Sequence, residues 1–405
     1  MRSLFFLCVS LLLFCSAGCG RSVAVGHDSV STSTTPPLSS AEVWTDSLLQ
    51  VMTLEEKVGQ LFMPAVYSRL EDADEEMLRF YADSCHVGGL LLLKGDAESA
   101  AAVASVMTAY SDIAPWISID AEWGLGMRIT DAPRYPRNGR MDEDADQTDL
   151  FDYGEEMARE CRVLGINMVM GPVADVASEG SFIGSRSFGN DPQRVADLVT
   201  AYASGLESGG VVSVAKHFPG HGRGGADSHK EVPVIIIDRD SLERTDLYPF
   251  RRYADAGLSG IMAGHISVPA LDASGLPATV SRRMLTELLR NDIGFRGLVI
   301  TDALNMRGAA GYQAADAIAA GADIVVAPAS TSDEIREIIK RVDSGELDES
   351  VIDDRCARVL RQKYSHRVAG PLRRRVRHPR GERLRSVLSF GTDSLQQRLA
   401  PRCDL

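Results

Sequence analysis

Lys216-His217-Phe218-Pro219-Gly220-His221-Gly222, closed by Asp227-Ser228-His229, gathers three histidines, a lysine and an aspartate into one short stretch. Gly220, Gly222, Gly224 and Gly225 are interleaved with them. The stretch leaves an apolar run, Val211-Val212-Ser213-Val214-Ala215, of strand composition. A packed core has no use for that much polarity just after a strand. A catalytic loop does, because glycine lets the backbone bend tightly and approach a ligand, and imidazole titrates near neutral pH. Asp227 and His229 stand two residues apart. A carboxylate beside an imidazole fixes its tautomer and raises its basicity, which suits a group that delivers a proton and then retrieves it. Asp302 closes a second apolar run, Gly297-Leu298-Val299-Ile300-Thr301, with no charged neighbour in sequence. Held near cations from elsewhere in the fold, such a carboxylate stays ionised. It can then attack an electrophilic carbon or stabilise a developing cation. Lys216, His217, Arg186 and Asp120 supply the charge-assisted hydrogen bonds that would orient a sugar's ring of hydroxyls.

These side chains need a frame. Between residue 41 and about residue 364, strand-like apolar runs alternate with amphipathic helical stretches, which implies a parallel sheet with helices outside. Strands are predicted over 61–63, 89–93, 116–120, 167–175, 211–217, 260–265, 298–302 and 323–327, and helices over 155–164, 193–207, 281–291 and 313–320. This spacing fits an α/β fold of the (β/α)8 TIM-barrel type, as a single catalytic domain. A doubly wound sheet would have fewer strands and a glycine-rich phosphate turn near its start. In the barrel reading Asp120, Asp175, Lys216 with His217, His265 and Asp302 each fall at the C-terminal end of a strand, the face where barrel enzymes assemble their sites. One aspartate in such a place is an ordinary helix cap or turn former. Five strands ending this way are a site.

The whole chain has 405 residues, 44% of them hydrophobic and 24% charged, a soluble globular composition. Its formal charge of -13 argues against nucleic acid as a partner, since phosphate binding needs a basic face. No internal stretch is long and apolar enough to span a bilayer. Arg2 precedes the apolar run from Leu4 to Phe14, and Ser16-Ala17-Gly18-Cys19 follows, so residues 1–19 read as a signal peptide of lipoprotein type. The chain is therefore expected to be exported, either periplasmic or anchored to the cell envelope by a lipid on Cys19, its one membrane contact. Residues 20–40, rich in Ser, Thr and Pro, read as a flexible linker, and 41–365 as the catalytic domain. Residues 366–405 crowd arginines into a segment with little apolar periodicity, and are expected to be a disordered basic tail. Cys85, Cys161, Cys356 and Cys403 lack CxxC spacing, so neither a zinc ribbon nor a disulfide framework is indicated. Cys161 and Cys356 lie in helical patterns as small buried hydrophobes.

The histidine loop resembles the hallmark loop of the β-N-acetylglucosaminidases of glycoside hydrolase family 3. The resemblance extends to Ile119-Asp120-Ala121-Glu122-Trp123-Gly124-Leu125-Gly126-Met127-Arg128 and Gly171-Pro172-Val173-Ala174-Asp175-Val176. It continues through Ile183-Gly184-Ser185-Arg186-Ser187-Phe188-Gly189, Met262-Ala263-Gly264-His265 and Ile300-Thr301-Asp302-Ala303-Leu304, so that motifs in order cover about residues 41–364. It implies a retaining, two-step hydrolysis of terminal β-linked N-acetylglucosamine, from peptidoglycan fragments or related oligosaccharides. Asp302 would match the nucleophile and His229 the acid/base, with Asp227 as its partner in place of the second carboxylate most retaining enzymes use. Asp120, Arg128, Arg186, Lys216 and His217 would match the residues that hold the sugar. No metal or organic cofactor is implied, the partner is a carbohydrate, and a monomer is expected. Two departures stand out. Arg223-Gly224 occupy the place where the family commonly has Asp-Thr, and Trp123 replaces a common glycine. No second α/β domain is expected after the barrel, and the resemblance is accordingly to the single-domain branch of the family.

Two other readings use the same residues. A sugar-binding lipoprotein that has lost catalysis would be expected to lack the nucleophile or the acid/base, and neither is missing. A metal-dependent barrel hydrolase would draw ligands from His217, His221, His229, His265 and Asp302. Against it, Pro219 and Gly220 break any helical face joining His217 to His221, and Lys216 would repel the ion.

Overall fold

Runs whose every residue is buried make the central strands, as a parallel sheet covered on both faces requires. A computed structural model describes residues 39–69, 72–141, 144–177, 180–223, 232–368 and residue 399. Its strands are β1 (Phe62–Met63), β2 (Ala65–Ser68), β3 (Gly89–Gly95), β4 (Trp116–Ile119), β5 (Met168–Val169), β6 (Val212–Phe218), β7 (Gly260–Ala263), β8 (Leu298–Thr301) and β9 (Val325–Val326). β2 to β8 form one sheet in sequence order with every pair parallel. β9 pairs with β1, Phe62 opposite Val325 and Met63 opposite Val326. An Ile300–Ile324 bridge joins the same segment to β8. β1 and β2 are halves of one strand interrupted at Pro64, so the ring closes as an eight-stranded (β/α)8 barrel.

Helices lie between successive strands. Helix Gln147–Val163 begins where the Asp146 carboxylate accepts the Thr148 and Asp149 amides, and Asp149 returns a bond to the Asp146 amide. It therefore starts well before the predicted 155, and its buried stripe already begins there, with Leu150 and Tyr153 ahead of Met157 and Cys161. The helix predicted over 193–207 spans Pro192–Ser208, and that over 313–320 spans Ala314–Ala320. The segment predicted over 281–291 is a π-helix, Arg283–Asp292. The strand predicted over 167–175 is shorter than expected: only Met168–Val169 pairs regularly, with a single further bridge from Val173 to Lys216. Pro172 has no amide to donate there. β2, which prolongs the first predicted strand past Pro64, was not foreseen.

Cys85, Cys161 and Cys356 are buried free thiols. Helix Ser40–Leu49 is capped by Ser39, inside the segment read as linker. Of the basic tail, residues 366–368 and Leu399 are described: His366 lies 2.9 Å from the Ser259 hydroxyl, and Leu399 is buried. The signal segment, most of the linker and the rest of the tail lie outside the described residues.

Glu160 is fully buried on helix Gln147–Val163 and accepts the Tyr135 hydroxyl at 2.8 Å. Burial, aided by Glu156, pushes its carboxyl up to about 7. A carboxyl raised on folding contributes stability that is present below its unfolded value and is lost as pH rises through 7. Glu160→Gln is expected to gain about 1–3 kcal/mol relative to the parent at pH 8 and almost nothing at pH 5. Thermal melts at the two pH values check this; equal shifts at both would assign the effect to packing instead of charge.

Candidate active site

The sequence places an aspartate just past β4, and the fold surrounds it with cations from two other segments. Arg128 Nη2 donates to Asp120 Oδ2 at 2.6 Å, and Lys216 Nζ, at the end of β6, to Asp120 Oδ1 at 2.9 Å. Lys216 Nζ is also 2.8 Å from Glu122 Oε1. Arg186 grips the same Glu122 with a two-pronged pair, Nε to Oε2 at 2.9 Å and Nη2 to Oε1 at 2.7 Å. Glu122 and Lys216 are almost wholly buried, at 1% and 3% exposure, so neither charge could stand alone. Burial on its own would raise both carboxyls. Lys216 with Arg128 outweighs it at Asp120, and Lys216 with Arg186 outweighs it at Glu122, so both are held below the ordinary range.

His217 belongs to a second layer of this network. Its Nδ1 is 2.7 Å from Asp175 Oδ2, and its Nε2 lies 3.4 Å from Arg186 Nη2. Asp175 Oδ1 accepts the backbone amides of His217 and His221. The Lys216–His217 and Phe218–Pro219 peptide bonds are cis. His221 packs its ring 5.6 Å from Phe182 and 5.9 Å from His217. Burial lowers its pKa, against the pull of Asp175.

Asp302 follows β8 and is half-buried. Its Oδ1 accepts the Ala303 amide at 2.8 Å, and its own amide donates to the Ala263 carbonyl at the end of β7. Burial alone would raise this carboxyl; His265, His217, the Ala303 amide and Lys216 together hold it below the usual aspartate value. His265 is fixed beside it, with Nε2 donating to the Ala303 carbonyl at 3.0 Å and Nδ1 2.8 Å from the Thr279 hydroxyl. The result is an ionised carboxylate at the rim of a hydrogen-bonding floor. Such an arrangement can attack an electrophilic carbon of a neutral, hydroxyl-rich ligand.

The stem of the histidine loop is tightly seated. Gly220 sits at a φ of 128°, and a Cβ on Gly222 would lie 1.9 Å from the Val176 carbonyl oxygen, so only glycine fits there. Arg223, the residue that departs from the expected Asp-Thr, donates from Nε to the buried Asp246 carboxylate at 2.8 Å. Asp227 and His229 lie outside the described residues, in 224–231.

The fold thus brings together Asp120, Arg128, Arg186, Lys216, His217 and Asp302 at one end of the barrel. Glu122 was not singled out from sequence, although its i, i+2 spacing from Asp120 past a strand end was a usable signal. Asp175 is predicted only as a strand end and His265 as a strand end or metal ligand; they are the partners of His217 and Asp302.

The description "Glycosyl hydrolase family 3 N terminal domain" matches residues 53–362. A β-hexosaminidase of Nitrosomonas eutropha is 38% identical over 256 residues, covering 59% of this chain and 73% of that protein. One from Pseudomonas aeruginosa is 33% identical over 276 residues, 66% of this chain and 81% of that protein. Among solved structures, a glycoside hydrolase family 3 β-N-acetylglucosaminidase from a Paenibacillus species superposes with a TM-score of 0.72 at 29% identity, over 86% of this chain and 68% of the other.

Proposed function

Since the chain belongs to glycosyl hydrolase family 3, matched over its N-terminal domain, we propose that its barrel mouth is a β-hexosaminidase site. The chain is a glycosidase of the β-N-acetylhexosaminidase kind, releasing terminal β-linked N-acetylglucosamine with retention at the anomeric carbon. The observation that carries the assignment of roles is Asp302. It is held ionised at the strand end by His265, His217 and Lys216, beside a floor of paired charges.

In the first step an Asp302 carboxylate oxygen attacks the anomeric carbon while the glycosidic C–O bond breaks. The leaving oxygen takes a proton from His229, whose tautomer Asp227 sets. In the second step water gives its proton to His229 and its oxygen to the same carbon, and Asp302 is released. Asp120 and Arg128 hold the sugar hydroxyls with Lys216, while Arg186 and His217 fix the charges behind them. His217 offers no spare ring nitrogen to a metal ion, since Asp175 and Arg186 flank the two. The substrates are peptidoglycan fragments or related oligosaccharides met outside the cytoplasm, a reading supported by the export-type segment before Cys19.

The test is release of p-nitrophenol from a panel of aryl β-glycosides by the full chain, before and after exhaustive chelation. The N-acetylglucosaminide is expected to be cleaved at least about a hundredfold faster than the glucoside, about 3 kcal/mol of discrimination, with no loss on chelation. Ligand binding without turnover would instead favour the sugar-binding reading.

A further inference from the structure

The turn that carries Asp120 and Glu122 continues into Trp123, and a second segment crosses it. In that segment Arg134, Arg137 and Arg140 are all exposed. None of the three pairs with a carboxylate among the described residues, although the chain as a whole carries -13. The segment is fastened beside the floor. Buried Asn138 donates from Nδ2 to the Arg186 carbonyl at 2.7 Å, and Arg137 Nη1 lies 3.3 Å from the Ser185 hydroxyl. The Arg137 guanidinium sits 4.9 Å from the centre of the half-buried Trp123 ring. A stacked guanidinium with one neutral hydrogen-bond partner is oriented but not neutralised.

Its location limits what it can meet. Trp123 is one residue beyond Glu122, which Lys216 and Arg186 hold in the floor. In an enzyme that removes terminal units, whatever projects from the pocket is the leaving group. We propose that Trp123 and Arg137 form a platform for the leaving group, which selects a second sugar unit bearing a carboxylate. The indole would pack against that unit's ring carbons, while the guanidinium takes the carboxylate with two parallel N–H bonds. Arg134 and Arg140 would add a local positive field that favours the anion over a neutral sugar. This proposal rests on the β-hexosaminidase reading and deepens it, by assigning residues to the part of the substrate that leaves.

The experiment compares two disaccharides, N-acetylglucosamine β-1,4-linked to N-acetylmuramic acid, and the same compound with its lactyl carboxylate converted to the methylamide. The full wild-type chain is expected to show a kcat/KM at least about tenfold higher for the acid, a difference of about 1.4 kcal/mol. In Arg137→Gln the ratio should fall to about one, while Arg137→Lys keeps part of it, because a point charge lacks the fork. A wild-type ratio near one, or a ratio unchanged in Arg137→Gln, overturns the platform. If neither compound is cleaved, it is the hydrolase reading that fails. The platform is then judged by calorimetric binding of the two compounds to the wild-type chain: tighter binding of the acid upholds it, and equal binding overturns it.

Discussion

Asp302→Asn lowers kcat on p-nitrophenyl N-acetyl-β-glucosaminide by about four orders of magnitude or more, the scale on which removing a reacting group acts. The substitution conserves shape and the Ala303 contact, so the melting temperature should stay within a few degrees of the parent. The loss is therefore one of reaction and not of folding. A slow 2-fluoro sugar with a good leaving group should trap the wild-type chain as a covalent ester, and mass spectrometry of the digest should place the added mass on Asp302. An adduct on another residue would refute the assignment, as would continued cleavage without one. The pH profile of kcat/KM offers a further sign. Because the Asp302 pKa is lowered by its neighbours, the acidic limb set by this group should fall below the ordinary aspartate value of about 3.9.

Lys216→Met strikes both binding and stability. Lys216 is buried and bridges two carboxylates, Asp120 Oδ1 at 2.9 Å and Glu122 Oε1 at 2.8 Å. Burial disfavours its charge, yet the two carboxylates raise its pKa above the ordinary lysine value. Removing it leaves two close carboxylates, each with one arginine remaining, Arg128 or Arg186. The expected cost is about 3 kcal/mol of stability, the scale of a broken buried pair, with a fall in kcat/KM of about a hundredfold or more. Since the carboxylate pKa values are lowered on folding, their contribution is present above the unfolded values and lost as pH falls through the folded ones. The instability of the variant should accordingly shrink toward pH 3, where Asp120 and Glu122 can take up protons. Denaturant melts at pH 7 and pH 3.5 read this directly. A destabilisation equal at both would point to lost packing and not to exposed charge.

The barrel was legible because its strands are uninterrupted apolar runs. Leu298–Thr301 and Gly260–Ala263 are buried residue by residue, and each is followed within two residues by a site group, Asp302 or His265. The reading failed where local and long-range demands part company. Pro172 lies in a run that looks like a strand but has no amide for the ladder, and helix Gln147–Val163 opens at the Asp146 cap, with Leu150 and Tyr153 already on its buried face among polar neighbours. Glu122 escaped notice for a different reason. A carboxylate is rarely buried unless paired, and its partners Lys216 and Arg186 come from distant segments, so its spacing from Asp120 is the one local signal and says nothing of its burial. Arg223 looked like a blemish in the histidine loop, and only the fold shows the buried Asp246 that receives it.

Glu122 joins loops that follow three neighbouring strands: its own after β4, that of Arg186 after β5, and Lys216 at the end of β6. One carboxylate thereby stitches these three pieces of chain into a single stiff unit. The rotamer freedom of those long cationic side chains was surrendered when the barrel formed. An incoming hexose finds its partners already standing in place, and its own hydroxyls have little left to immobilise.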